Sequence, residues 1–185
     1  MTQTIAVGER LSGLPPVVSP QTGVLILGSF PGIASLRARQ YYGHPQNHFW
    51  RILQALWPQD VVPSGSGSYA ERCQWLLDHR LGVWDVYASC LREGSLDTSI
   101  REAIVNDFAS LRAHCPRLTA IAHNGAESYK HAPQVLCSLQ AQDGAAGGAP
   151  IESIKLPSTS PANASWSFER KLAAWSDVMA RHGLL

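Results

Sequence analysis

Acidic residues are missing from the two stretches of this chain that hold its most unusual segments. None occurs between Glu9 and Asp60, and none between Glu152 and Glu169. The first stretch carries Arg10, Arg37, Arg39, Arg51, His44 and His48, and the second carries Lys155. A surface that meets phosphates excludes carboxylates even in a nearly neutral protein, and the formal net charge here is only +1. Charged residues are scarce throughout, at 16%, so a chance gap would look the same and the gap alone does not decide.

Other absences narrow the function classes. No apolar run is long enough to span a bilayer. The opening residues MTQTIAVGER lack the basic start and apolar core of a secretory signal. Cys73, Cys90, Cys115 and Cys137 form no CxxC pair and no Cys/His set at zinc spacing. Buried free thiols in a reducing cytoplasm are therefore expected, with no metal and no cofactor. We expect a bacterial cytoplasmic protein associated with the nucleoid. Lysine is rare, only Lys130, Lys155 and Lys171 being present, which leaves few amines for Schiff-base chemistry.

What is present suits one cored domain over residues 1–185, with 1–20 an irregular N-terminal segment. Four short β-branched runs, Val24–Leu27, Leu81–Val86, Leu118–Ala122 and Ile151–Leu156, are separated by segments of helical period. The helical pattern covers Asn47–Trp57, Tyr69–Arg80, Gly125–Leu139 (interrupted by Pro133) and Trp166–His182. Ser99 with Glu102 three residues on reads as a capping box that opens a further helix through Ile104, Val105, Phe108 and Leu111. VVPSGSGS and AQDGAAGGAP read as surface loops. Strands alternating with helices imply an α/β sandwich around a parallel sheet.

Ligands of such sheets bind beyond the carboxyl ends of the strands. There the chain places GSFPG (Gly28–Gly32), QYYGHPQNHFW (Gln40–Trp50), Tyr87–Cys90 with REGSLDTS, His123-Asn124-Gly125, and LPSTSPAN (Leu156–Asn163). GSFPG is neither a GxxxxGK[ST] loop nor a GxGxxG fingerprint, which argues against an NTPase or a dehydrogenase. Ser29, Ser158 and Ser160 sit in no GxSxG elbow. Paired tyrosines offer a flat face to a nucleobase. Asn47 offers an acceptor and a donor that hold a water without ionising. An Asn at a helix start is equally an N-cap, and Tyr41 and Tyr42 are equally core aromatics, so both readings stand.

Together, VLILGSFPG, QYYGHPQNHFW, GVWDVYASCLREGSLDTSI, HNG and LPSTSPAN resemble the hypoxanthine-DNA glycosylases, family 6 of the uracil-DNA glycosylase superfamily. The resemblance runs from about Leu11 to the C-terminus. It implies a three-layer α/β/α sandwich around a four-stranded parallel sheet. It also implies that Asn47, the Asn of the GHPxN segment, is the main catalytic residue. Ser29-Phe30 stands where other branches carry a water-activating Asp or Asn, and Leu156 where others carry a His. His123 replaces a more usual aromatic.

From this follow the expected roles. Phe30 and Tyr42 sandwich a flipped base, Asn124 reads its edge, and backbone N–H groups near Gly28 and Ser29 stabilise it as it leaves. Ser158, Thr159, Ser160, Lys155 and His44 meet the DNA. Asp85, in Trp-Asp-Val-Tyr, is expected to bond neighbouring backbone. The reading is a monofunctional, cofactor-free monomer acting on double-stranded DNA, with single strands also open. The alternatives are a uracil or mismatch-specific glycosylase of the same fold, a non-catalytic damage-binding module, and an N-glycosidase of free nucleosides.

Overall fold

A computed structural model of the chain describes residues 9–65, 67–141 and 150–185. Its strands are β1 (Arg10–Ser12), β2 (Val24–Gly28), β3 (Leu81–Asp85), β4 (Tyr87–Leu91), β5 (Arg101–Val105), β6 (Ala120–Asn124) and β7 (Glu152–Leu156). Its helices are α1 (Ile33–Ala38), α2 (Phe49–Leu56), α3 (Tyr69–Asp78), α4 (Leu111–His114), α5 (Ala126–Tyr129), α6 (Ala132–Gln140) and α7 (Phe168–Arg181). Strands β3-β2-β6-β7 form a parallel sheet in that order, with Val24 opposite both Leu81 and Ala120, and Ala120 opposite Glu152.

Every residue of β2 and β3 is buried. Their unbroken apolar runs suit strands covered on both faces, where alternation would waste half the side chains. Helix α2 packs on α7, α3 on β3, and α5 on β6 and β7. Phe49 and Trp175, both fully buried, meet edge-on at 5.9 Å and join α2 to α7.

The antiparallel sheet β1-β4-β5 corrects two expectations. The segment after Ser99 is not a helix. A 3-10 turn at Asp97–Ser99 leads into β5, which pairs with β4 through Tyr87↔Val105 and Leu91↔Arg101. The capping-box pattern lost because β4 leaves an open edge, and Ile104 and Val105 suit a strand as well as a helix. Glu102, expected as a cap, instead meets Arg10 at 3.1 Å across the sheet. Part of the N-terminal segment is likewise regular: Arg10–Ser12 pairs with Leu91, Cys90 and Ser89, and Val17 bridges Val83. Residues 1–8 lie outside the described residues, as does most of the AQDGAAGGAP loop.

The expected Gly125–Leu139 helix is two helices, with Pro133 in the first turn of the second, where a missing N–H costs nothing. Of the cysteines, Cys90 and Cys115 are buried, Cys73 is half-buried and Cys137 is exposed, and all four are free thiols. Burial therefore holds for only part of that expectation. Among the described residues no helix is long and apolar enough to cross a membrane.

Candidate active site

The segments after β2, β3, β6 and β7 converge, with the Gln40–Asn47 turn, on a cavity of about 1010 Å³. Two glycines make the convergence fit. A Cβ on Gly28 would lie 2.3 Å from Asp85 Oδ1, so glycine here leaves room for the Asp85 carboxyl where it stands. Gly125 has φ +112°, and a Cβ there would stand 3.1 Å from Ser158 Cβ.

Tyr41 and Tyr42 part company. Tyr41 is a core residue that donates its hydroxyl to Leu14 O at 3.0 Å. Tyr42 lines the cavity with φ +54°, an uncommon conformation for a bulky residue. Neighbours hold it there. Its ring stacks on Phe49 at 3.8 Å and 18°, and its hydroxyl accepts from Asn124 Nδ2 at 3.1 Å. Burial, and then the nearby Asp85 carboxyl, push the Tyr42 phenol well up, so it stays neutral.

Asn124, at the end of β6, is fixed by three bonds. Nδ2 donates to Tyr42 Oη and to Thr159 Oγ1 (2.9 Å), while Oδ1 accepts from Thr159 N (2.9 Å). Both amide protons are thereby engaged, and one Oδ1 lone pair remains. Thr159 is fully buried, and its carbonyl accepts from His48 N at 3.0 Å. Through side chain and main chain Thr159 thus knits β6, the LPSTSPAN loop and the Asn47 turn together, and a direct phosphate contact is not what its buried position offers. Ser158, Ser160 and Lys155 line the same cavity, and exposed His44 lies at its edge with Nδ1 accepting from Gln46 N.

Asn47 N donates to His44 O at 2.9 Å, and Asn47 Oδ1 accepts from Phe49 N at 3.0 Å. The side chain therefore caps the first turn of α2, which orients the amide. Asn47 also lines a second cavity of about 630 Å³, which it shares with His48, Arg51 and Lys171. It stands at the boundary between the two cavities.

Phe30 is buried at the first cavity with the Arg92 guanidinium 5.0 Å from its ring. Ser29 Oγ donates to Asp97 Oδ1 at 2.7 Å. Asp85 departs from expectation. Its main-chain carbonyl accepts from Asn106 Nδ2, but its carboxyl is not bonded to neighbouring backbone. Oδ2 is buried with no hydrogen-bond partner among the described residues, and the residue lines the cavity. Burial, with help from the Asp97 charge and against that of Arg92, raises this carboxyl to about 7. Sequence reasoning set Asp85 aside; the small Gly28 beside a strand-end acid was the available signal.

His123 turns away from base contact. It is fully buried, with its Nδ1 2.8 Å from Ser128 Oγ and its Nε2 2.9 Å from Ser153 Oγ. Ser128 gives its own proton to Leu27 O at 2.7 Å. It must therefore accept from His123 Nδ1–H, leaving Nε2 to accept from Ser153. Burial lowers His123 to about 4. Among the described residues, no three His, Cys, Asp or Glu side chains are grouped to hold a metal ion.

Comparisons with known proteins agree with this fold. The family model of the uracil DNA glycosylase superfamily matches residues 15–179. A protein of Methanosarcina barkeri named hypoxanthine DNA glycosylase is 40% identical over 124 residues, covering 67% of this chain and 77% of that protein. One of the same name from Methanosarcina acetivorans is 34% identical over 170 residues, covering 92% and 98%. The solution NMR structure of a Methanosarcina acetivorans protein, described as a candidate uracil DNA glycosylase, superposes with a TM-score of 0.75 at 32% identity, covering 94% of this chain and 99% of that one. With its parallel sheet, strand-end cavity and family match over most of its length, the chain belongs to the uracil DNA glycosylase superfamily.

Proposed function

We propose that this DNA glycosylase hydrolyses the N-glycosidic bond of hypoxanthine in DNA, with Asn47 orienting the water. The observation that carries the reading is the setting of Asn47, an amide oriented by Phe49 N at the boundary of a deep aromatic and amide-lined cavity. The names of the two Methanosarcina relatives supply the base.

A base within a duplex is out of reach, so the nucleotide turns out of the stack, which costs a few kcal/mol and less at a damaged pair. The base lies on the open face of Tyr42, with Phe30 opposite. The remaining lone pair of Asn124 Oδ1 accepts from hypoxanthine N1–H, and Tyr42 and Thr159 keep that oxygen from swinging away. Asn47 directs a water at C1′. As the water oxygen bonds to C1′, the C1′–N9 bond breaks and its electron pair passes to the purine; the proton shed by the water goes to solvent. Asp85, partly protonated at neutral pH, offers an O–H to the departing base as negative charge builds there. No amine attacks C1′, so strand cleavage does not accompany excision.

Uracil is the second reading, carried by the description of the structurally similar Methanosarcina acetivorans protein. One panel separates the two: duplex and single-stranded oligonucleotides bearing hypoxanthine, uracil, xanthine or mismatched thymine, followed by alkali. Alkali-dependent breaks at hypoxanthine are expected. No break on any substrate overturns the catalytic reading, uracil-only breaks overturn the named base, and breaks without alkali overturn the monofunctional mechanism.

A further inference from the structure

The second cavity has its own chemistry. Lys171, on α7, is only 1% exposed yet lines this cavity, and among the described residues its ammonium has neither an ion pair nor a hydrogen bond. Beside it stand Arg51, whose guanidinium lies 4.1 Å from the Phe168 ring centroid, and His48, which meets the same ring edge-on at 5.5 Å. Among the described residues, His48 Nδ1 is buried without a hydrogen-bond partner, and no acidic side chain lines the cavity. Glu169, fully exposed on the first turn of α7, is the acid that acts on His48 and Arg51. Burial drives the Lys171 ammonium below its usual range, and burial, Lys171 and Arg51 lower His48. Three potential cations share this cavity, and the acid that acts on two of them, Glu169, is fully exposed outside its lining.

The geometry points to a phosphodiester-binding site formed by His48, Arg51 and Lys171, which grips a backbone phosphate beside the flipped nucleotide. The site shares Asn47, Pro161, Asn163 and Trp166 with the base cavity. A nucleotide spanning the two has its base on the Tyr42 side, its phosphate on the Lys171 side and its sugar at Asn47 between them. The phosphate grip thereby sets the position of C1′ against the water, whereas the base cavity sets only the plane of the base. A monoanionic phosphodiester satisfies Lys171 and Arg51 together, since each donates to a separate oxygen.

The inference rests on the DNA reading above, and the test separates the two. Duplexes containing one hypoxanthine are made with a single neutral methylphosphonate at each phosphate flanking it in turn. Binding and single-turnover excision are then measured for the wild type, Lys171→Met, Lys171→Arg and Arg51→Gln. In the wild type, one methylphosphonate position is expected to weaken binding roughly tenfold or more. Lys171→Met is expected to lose that sensitivity and to lower the salt dependence of log K by about one phosphate's worth, ~0.9, and Lys171→Arg to retain both. Arg51 is exposed, so Arg51→Gln keeps the fold and is expected to diminish the same positional sensitivity even if Lys171→Met proves unstable. A methylphosphonate penalty equal in wild type, Arg51→Gln and any folded Lys171→Met overturns the phosphate site while leaving the glycosylase reading intact. A wild type that neither binds nor cuts hypoxanthine DNA overturns both.

Discussion

Tyr42 lies flat on Phe49, with ring centroids 3.8 Å apart and planes 18° from parallel, and this stack leaves Tyr42 a single face for a ligand. The residue has a positive φ of 54°, and the stack and the bond from Asn124 hold it there. A base bound there adds a third ring to a pile that starts in the core, since Phe49 also meets Trp175 edge-on. Tyr42→Ala is expected to weaken binding of hypoxanthine DNA by about 1–3 kcal/mol, measured with a catalytically silenced Asn47→Ala background. Tyr42→Phe retains the stack and releases Asn124 Nδ2. It is expected to bind nearly as well and to discriminate less between hypoxanthine and adenine. Equal loss in both variants would place the contribution in the hydroxyl.

Asp85 carries two signatures in pH. As a donor to the leaving base it acts protonated, so the single-turnover rate is expected to fall as pH rises past about 7, and Asp85→Asn to be slower and flat over that range. Its effect on stability has the same direction. The folded carboxyl is raised from 3.8 to about 7, so stability is full below the unfolded value and is lost as pH climbs through the folded one. The loss is on the order of a few kcal/mol. Thermal melts of the wild type and Asp85→Asn from pH 4 to pH 8 check this, the variant gaining on the wild type toward alkaline pH. Parallel melting curves would contradict it.

His123 acts at the opposite end of the scale. Its folded value, about 4, is depressed from 6.5, so its stability contribution is present above 6.5 and is lost as pH falls toward 4. Protonation must break the Nε2 acceptor bond from Ser153 in a fully buried place, at about 3 kcal/mol. His123→Phe is expected to be less stable than the wild type at pH 7 by ~1–2 kcal/mol, because Ser153 loses its acceptor. The deficit should narrow or reverse by pH 4.5 in chemical denaturation. A constant deficit would show that His123 is not the titrating group.

How much of this was legible before any coordinates depended on how local the cause was. Strands β2 and β3 announce themselves, because a strand buried on both faces must be largely apolar, as Val24–Leu27 and Leu81–Trp84 are, whereas β7, with Glu152 and Lys155 exposed, shows only in its Ile151, Ile154 and Leu156. Helix α7 does too, with Phe168, Trp175 and Met179 on one stripe. The hairpin of β4 and β5 was hidden. Ile104 and Val105 fit either period, and only the open edge of β4, a tertiary fact, chooses the strand. Within the site, the convergence of the strand-end loops was legible from topology and the Asn47 segment from its residues. What no spacing reveals is which polar groups satisfy one another: Thr159 spends itself on Asn124, His123 on two serines, and Asp85 is left over. The same holds for Lys171, 124 positions from Asn47 in sequence and beside the same cavity in space.

Water placement by Asn47, as proposed, acts on the chemistry of excision and leaves binding alone. The most direct measurement is single-turnover excision of hypoxanthine from duplex DNA by Asn47→Ala, with affinity for the same duplex and the melting temperature taken in parallel. Asn47 also caps α2, so a melting temperature lowered by a modest amount, ~1 kcal/mol of stability, is expected. Asn47→Ser or Asn47→Asp, which retain a capping oxygen, should recover that part without recovering the full rate. The rate of Asn47→Ala is expected to fall about a hundredfold or more with affinity nearly unchanged. A rate that survives in a folded, DNA-binding Asn47→Ala protein would contradict it and move the water to another residue.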